Sequence, residues 1–553
     1  MKAKEFKQPA VVMDTVMWKV FVLIINIDAI QWIQGKSYLP TWDSIDSRPV
    51  PQWYQNAKLG IFCHWGVYSV PAIHSEWMWY AWKVSNSSDV IQYVSKYYKP
   101  SVTYADFAQD KVNRKFANFQ FTAEHFNASI FRDIVEASSA RYFVFTSKHH
   151  EGFTMWPSTT SWNWNSVDVG PHRDIVGELK NAFIESKVHF GLYFSQYEWF
   201  NRYYINDRKY NTDNYVKASC FCFTFITYVS YPQMLEIVRK YEPEIIWSDG
   251  DWEMSDDYWK SKEFIAWLYN SSPVRNTVVV NDRWGKGISG KHGGFLTYSD
   301  HFDPELFQEK GRLVAGYLLR RKWENCLTLD KESWGYRRNM RSEDVNTVLY
   351  LISQLVRTIA CNGNLLLNVG PDKSGMIAPI FEDRLRELGK WVKRNQEAIF
   401  NTYPWMYQND SLYIWYTISS PRVRRDAVWV SHTEHSKLYA FFLQFPINDT
   451  VTLSSVHYTP TLTAEVLLDF NKTEFLEVYG IPGHSVIISF KKHQRLATFS
   501  PIVVRIKHFN ATYVSIRKCI YHVTCIPFLM SNYELLYNWN LQHDPLQNDL
   551  FKY

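Results

Sequence analysis

The chain has 553 residues, 46% hydrophobic and 21% charged. That balance excludes a disordered or collagen-like polymer and leaves room for two or three domains with sizeable cores. The formal net charge is +5 with no dense basic block; even the stretch 421–425 holds only Arg422, Arg424 and Arg425, so nucleic acid is not an expected partner.

In chain order, residues 1–38 form an N-terminal extension. Within it Met17–Ile27 places Lys19 ahead of a short apolar run that Asp28 interrupts. With a start at Met13 or Met17 this run resembles a signal segment. It is too short to span a bilayer, and no other stretch suggests membrane insertion. Residues 39–400 alternate apolar runs with amphipathic stretches. Strands are predicted at Leu59–Cys63, Tyr142–Thr146, Val188–Phe194, Glu244–Ser248, Thr277–Asn281 and Asn364–Val369. Helices are predicted at Ile130–Ala137, Asp174–Ser186, Gln233–Tyr241 and Glu343–Ala360. Buried, unalternating strands interleaved with helices predict a parallel sheet, here an α/β fold of the (β/α) TIM-like barrel type.

Over 401–512 the pattern changes to short β-rich runs separated by turn residues: Leu412–Tyr416, Ala427–Ser431, Lys437–Leu443, Thr450–Ser454, Ala464–Leu468 and Ser485–Ser489. These predict a C-terminal antiparallel β-sandwich. Residues 513–553 form an irregular tail. Two inner segments fit the barrel pattern poorly, the apolar Ala218–Ser230 and the basic-apolar Gln308–Lys322.

Polar residues collect where the predicted barrel strands end. Leu59–Cys63 runs into His64; Tyr142–Thr146 runs into Lys148, His149, His150 and Glu151; Glu244–Ser248 ends in Asp249, Gly250 and Asp251; Thr277–Asn281 ends in Asp282 and Arg283. Catalytic groups of such barrels sit at the C-terminal strand ends, so four polar ends point to one active site. His64 taken alone reads as a core histidine. The histidines together suit a metal site or neutral hydrogen-bond partners for hydroxyls, although no HxH or HExxH spacing occurs. Gly250 permits the sharp turn that leaves the Asp249 carboxylate at a strand end. The 24 Trp and 17% aromatic content suit the flat C–H faces of sugars as well as a large core. A retaining glycosidase needs two carboxyl groups roughly 5–5.5 Å apart, and spacing alone does not choose that pair.

The seven cysteines, Cys63, Cys220, Cys222, Cys326, Cys361, Cys519 and Cys525, show no metal spacing and no dense disulfide framework. Seven Asn-x-Ser/Thr triplets, at Asn86, Asn127, Asn270, Asn409, Asn448, Asn471 and Asn510, lean toward a secretory route.

Several longer motifs follow one another in order. They are Pro51 to Pro71 with Ser75, Glu76 and Trp77; Lys148 to Pro157; Ser161 to Ser166; Trp247 to Glu253; Trp323 to Cys326; and Gly363 to Pro371. Together, over roughly Leu39 to Arg505, they resemble the α-L-fucosidases of glycoside hydrolase family 29, in particular the animal lysosomal type. The resemblance implies a barrel followed by a β-sandwich, no cofactor and no metal. It also implies hydrolysis of terminal α-L-fucose with retention, fucosylated glycans as partners, a lysosomal or secreted location and a homotetramer. The family nucleophile falls on Asp249. Substrate-binding positions fall on His64, Glu76, Trp77, His149, His150, Tyr193, Trp247 and Arg283. The acid/base falls on Asp300 or, as second choice, Glu324. Ala218–Ser230 and part of Gln308–Lys322 have no counterpart in the family pattern. The alternative is therefore a catalytically impaired, fucose-binding homologue.

Overall fold

The computed structural model describes residues 37–109, 120–210, 224–297, 318–319, 321–420, 429–431, 433, 435–499 and 501–511. Seven parallel strands form one curled sheet: β1 (Leu59–Cys63), β2 (Tyr142–Lys148), β3 (His189–Ser195), β4 (Ile245–Asp249), β5 (Val279–Val280), β6 (Trp323–Thr328) and β7 (Gly363–Val369), in the spatial order β5-β4-β3-β2-β1-β7-β6. The sheet's two outer strands do not pair directly. Between them runs the segment 294–297. Phe295 N–H donates to Val280 O (3.0 Å), while Leu296 N–H donates to Lys322 O (3.0 Å) and its carbonyl accepts from Glu324 N–H (2.8 Å). One irregular stretch thus completes the ring.

β1, β2, β4 and β7 are buried along their whole length, which explains their near-continuous apolar sequences. Side chains alternate across a strand. One set, including Phe62, Tyr142, Val144, Tyr193, Ile245, Trp247, Phe295 and Leu366, fills the barrel interior. The other set meets the surrounding helices, among them Ala128–Ala137, Ile175–Phe183, Tyr231–Tyr241, Val348–Ala360 and Pro379–Arg394.

The predicted barrel elements are present with shifts of a few residues, as are five of the six predicted C-terminal β-runs. Of Ala427–Ser431 only 429–431 lie within the described residues, and there Val430 makes an isolated bridge to Trp405. The Glu343–Ala360 prediction resolves into a short 3-10 turn at Ser342–Asp344 and a helix at Val348–Ala360, capped by the Thr347 side chain. β6 was not among the predicted strands. The end of the poorly fitting segment Ala218–Ser230 is built into the core. Phe225 and Ile226 are fully buried, and a π-turn at Ile226–Ser230 leads into the helix Tyr231–Tyr241. Of Gln308–Lys322 only 318–319 and 321–322 lie within the described residues.

The C-terminal part is an antiparallel sheet of nine strands: β8 (Tyr403–Ser411), β9 (Ile414–Ser419), β10 (Lys437–Phe442), β11 (Thr450–His457), β12 (Thr463–Leu467), β13 (Thr473–Tyr479), β14 (Ser485–Ser489), β15 (Ile502–Lys507) and β16 (Asn510–Ala511). It folds over on itself in the manner of a sandwich. Asp410 of β8 accepts from the backbone and hydroxyl of Ser455 on β11, and the two halves enclose a core that includes Trp405, Tyr416, Leu438, Val486 and Val504.

Candidate active site

The strand parity that fills the barrel interior also aims the polar strand ends. Residues 245, 247 and 249 of β4 share one face, so the row that carries Ile245 and Trp247 inward ends in Asp249. By the same rule His64 continues the inward row of Phe62, and Asn368 that of Leu366. Gly250 then turns the chain away with φ +68°, a left-handed conformation that glycine adopts without strain.

Asp249 is held at both carboxylate oxygens. Arg283 Nη1 donates to Oδ1 at 2.9 Å and Tyr193 Oη–H donates to Oδ2 at 2.7 Å. Its side chain nevertheless keeps 11% of its surface exposed, so the carboxylate stays within reach of solvent. Arg283 is steadied in turn by a bond to Thr297 Oγ1 and by the face of Trp247, 4.8 Å from the guanidinium carbon.

The hydrogen-bond network assigns the histidine tautomers. Ser195 Oγ–H donates to Tyr197 O (2.9 Å), so toward His150 it accepts, and His150 Nδ1 carries the proton (2.8 Å). Asn368 donates its amide to Trp334 O (2.6 Å) and presents its carbonyl oxygen to His64 Nδ1 (2.7 Å), so that nitrogen is also protonated. Burial, together with the neighbouring His149, holds both rings well below the usual imidazole range. Neutral and protonated at Nδ1, His64 and His150 each present a bare Nε2 as an acceptor. His150 Nε2 lies 3.6 Å from Asp249 Oδ2, two acceptors with no proton between them. A hydroxyl entering there donates to one of them, and a pair of neighbouring hydroxyls satisfies both. His149 stands between the two rings, 4.1 Å from His150 and 6.1 Å from His64 by ring centroids. Its Nδ1 is 3.4 Å from the buried Glu151 carboxylate.

Glu76 is buried, with Oε2 taking the backbone N–H groups of Trp334 (3.1 Å) and Gly335 (3.0 Å). Trp77 packs edge-on to His150 at 5.1 Å and near-parallel to Trp252 at 6.2 Å. The structure therefore brings together His64, Trp77, His149, His150, Tyr193, Trp247, Asp249 and Arg283, with Glu76 on the adjoining wall through Trp334, which packs 5.1 Å from His64.

The two acid/base candidates fare differently. Asp300 lies outside the described residues. Glu324 is fully buried. It pairs in register with Asn364, four residues before the Asn368 that holds His64. At roughly 3.3 Å per residue that is about 13 Å deeper in the barrel. There it accepts from Tyr54 and Tyr142 (both 2.7 Å) and from Trp247 Nε1 (2.9 Å), and burial raises its carboxyl above the usual range. Trp247 stands between it and Asp249.

Residues given no role from the sequence also shape the site. Asn368 and Ser195 fix the tautomers. Asp251, 5% exposed, accepts from Gly285 N–H at 3.0 Å and is pushed up to about 7 by burial and by Asp249. Asn368, Asp251 and Glu151 all fall within motifs already recognised, whereas Ser195 and Trp334 carried no signal beyond composition. Among the described residues no group of three or more His, Cys, Asp or Glu is arranged to hold a metal ion.

The chain as a whole is similar to known proteins. A family model described as Alpha-L-fucosidase matches residues 26–397. A Caenorhabditis elegans alpha-L-fucosidase homologue is 55% identical over 469 residues, covering 83% of this chain and 91% of its own length. Human tissue alpha-L-fucosidase is 42% identical over 468 residues, covering 82% of this chain and 91% of its own. The solved structure of Thermotoga maritima alpha-fucosidase in complex with fucose is 28% identical, with a TM-score of 0.63, and covers 85% of this chain and 99% of that one. The chain belongs to the alpha-L-fucosidase family.

Proposed function

We propose that this protein hydrolyses terminal α-linked L-fucose from glycoproteins, glycolipids and oligosaccharides with retention, with Asp249 as nucleophile. The observation that carries the reading is the pocket itself. An oriented, partly open carboxylate faces neutral imidazoles whose Nε2 atoms accept hydrogen bonds. A sugar with neighbouring ring hydroxyls supplies the donors this arrangement lacks. Arg283 and Tyr193 fix the carboxylate for attack on the anomeric carbon, and the glycosyl-enzyme so formed is then opened by water. Trp77 and Trp247 supply apolar faces for the sugar's carbon skeleton and methyl group.

To reach the leaving oxygen, the second carboxyl group has to lie roughly 5–5.5 Å from the nucleophilic one. Glu324 is poorly placed for that role, beneath Trp247 and with both its oxygens engaged. The resemblance to the animal enzymes favours Asp300. The impaired, binding-only alternative finds no support in the family comparisons, and Arg283 and Tyr193 hold the Asp249 carboxylate as the hydrolytic reading requires.

Hydrolysis of a chromogenic α-L-fucoside at acid pH, by wild type and Asp249→Ala, tests the reading. Turnover is expected to fall at least about a thousandfold in a mutant that melts like wild type. Near-normal kcat in that mutant would remove Asp249 from the role.

Passage through the secretory route to the lysosome or the exterior is part of the same proposal. Asn86, Asn448, Asn471 and Asn510 are exposed and open to glycosylation, whereas Asn409 is fully buried and Asn270 is tied to the backbone of Tyr38. No helix among the described residues is long and apolar enough to cross a membrane. The homotetramer that the resemblance implies is measured by sedimentation.

A further inference from the structure

Most large aromatic side chains of the barrel are fully buried, such as Trp156, Trp259 and Trp284. A different set lies at the mouth, on the loops that follow the strands. Trp199 packs 5.3 Å from His150. Trp79, on the short helix Met78–Lys83 after β1, stacks on Trp199 at 5.5 Å and 19°. Phe200, after β3, leans on Trp79 at 5.2 Å and is 37% exposed. These contacts make a continuous line of rings from the imidazole beside Asp249 to the surface. Trp79 and Trp199 are both half-buried rather than sealed. Apolar faces left open at the rim of a polar pocket cost solvation, and they are retained where a ligand covers them. On the fucosidase reading, one terminal sugar sits against Asp249 and His150. Whatever that sugar is attached to has to leave across the pocket mouth, and the C–H faces of a hexose pack well on aromatic faces.

We infer that Trp79 and Phe200 form a platform for the leaving group, taking the sugar residue of a glycan to which the fucose is joined. This rests on the fucosidase reading and adds to it a preference for oligosaccharide over small leaving groups. Trp199 touches His150 and belongs to the pocket wall, so the two outer rings carry the test.

Trp79→Ala and Phe200→Ala are each compared with wild type on two substrates. One is α-L-fucosyl fluoride, which has no sugar to place on the platform. The other is a reducing trisaccharide ending in α-linked fucose. Each variant should raise KM for the trisaccharide about threefold to tenfold while leaving fluoride hydrolysis within about twofold of wild type. An unchanged fluoride rate also certifies the fold of each variant. Equal losses on both substrates, or no loss on the trisaccharide, would overturn the platform. A wild type that hydrolyses neither substrate would instead overturn the fucosidase reading on which it stands.

Discussion

Glu324 and Asp251 are two buried carboxyl groups of the barrel, and the geometry gives them different work. Glu324 receives two tyrosine hydroxyls on one oxygen and an indole N–H on the other. In Glu324→Gln the amide group replaces one acceptor, leaving tyrosine or indole hydrogens without a partner. That costs about 1–3 kcal/mol of stability. Because Trp247 forms part of the pocket floor, activity should fall as well, but by the same factor for an activated aryl fucoside as for a glycan. Loss of an acid/base would spare the activated leaving group, so a selective loss on glycans alone would restore Glu324 to that role.

Asp251 is predicted to govern stability against pH. Its folded-state value, about 7, lies above the ordinary aspartate value of about 3.9. The folded protein therefore binds this proton more tightly than the unfolded chain. The contribution is fully present below about pH 4 and is lost as pH rises through about 7. His64 and His150, held neutral by burial, act oppositely: their contribution is present above the unfolded imidazole value and is lost as pH falls below it. The Asp251→Asn difference isolates the aspartate, because the amide oxygen can still accept from Gly285. The variant should gain stability relative to wild type on going from pH 4 to pH 7.5, by more than about 1 kcal/mol. Parallel melting curves at the two pH values would show that Asp251 does not titrate in this window.

At the scale of elements, the barrel depends on its irregular stave. A Cβ placed on Gly294 would lie 2.1 Å from the carbonyl oxygen of Val280, the oxygen that accepts the seam bond from Phe295. Gly294→Ala should therefore part β5 from the stave, costing roughly 2–3 kcal/mol in the manner of an overpacked core. Thermal melting checks this, and a wild-type Tm would mean the seam yields freely. This stave and β6 are also what the sequence concealed. The runs Leu59–Cys63, Tyr142–Thr146 and Asn364–Val369 are legible because both their faces are apolar. β6 places Glu324 and Asn325 in its middle, and such residues argue for a loop until their partners are known. Those partners, Tyr54, Tyr142, Trp247 and Thr358, come from far along the chain. β8 is hidden similarly, since Pro404, Asn409 and Asp410 interrupt it. In the site, strand ends revealed Asp249, His64 and Arg283 directly. The recognised motifs added Glu76 and Trp77, and the family resemblance added Tyr193. Tautomers depend on Ser195 and Asn368 meeting two imidazoles from neighbouring strands that are distant in the chain, a relation no local pattern encodes.

For the whole molecule, barrel and β-sheet domain are joined by a shared apolar cluster, beside the core the sheet encloses on its own. Trp415 of β9, Phe441 of β10 and Val503 of β15 belong to the same buried cluster as the barrel helices' Leu355, Leu388 and Ile399. Polar contacts lock the joint. Trp391 Nε1 donates to Pro501 O (2.7 Å), Thr417 Oγ1 donates to Ala398 O (2.7 Å), and Arg505 pairs with Glu397 (2.7 Å) while also binding Glu465. Elements joined by a continuous dry core unfold together, because parting them exposes apolar surface on both. Calorimetry of the intact protein should therefore show one transition. Trp415→Ala removes a fully buried indole at the joint and should cost about 3–5 kcal/mol. Its main effect should be to lower the common Tm or to split the transition in two, with fucoside hydrolysis at low temperature retained because Trp415 is remote from Asp249 in the fold. Two transitions already present in the wild type would mean that the C-terminal sheet is an independent unit and that the shared core contributes little.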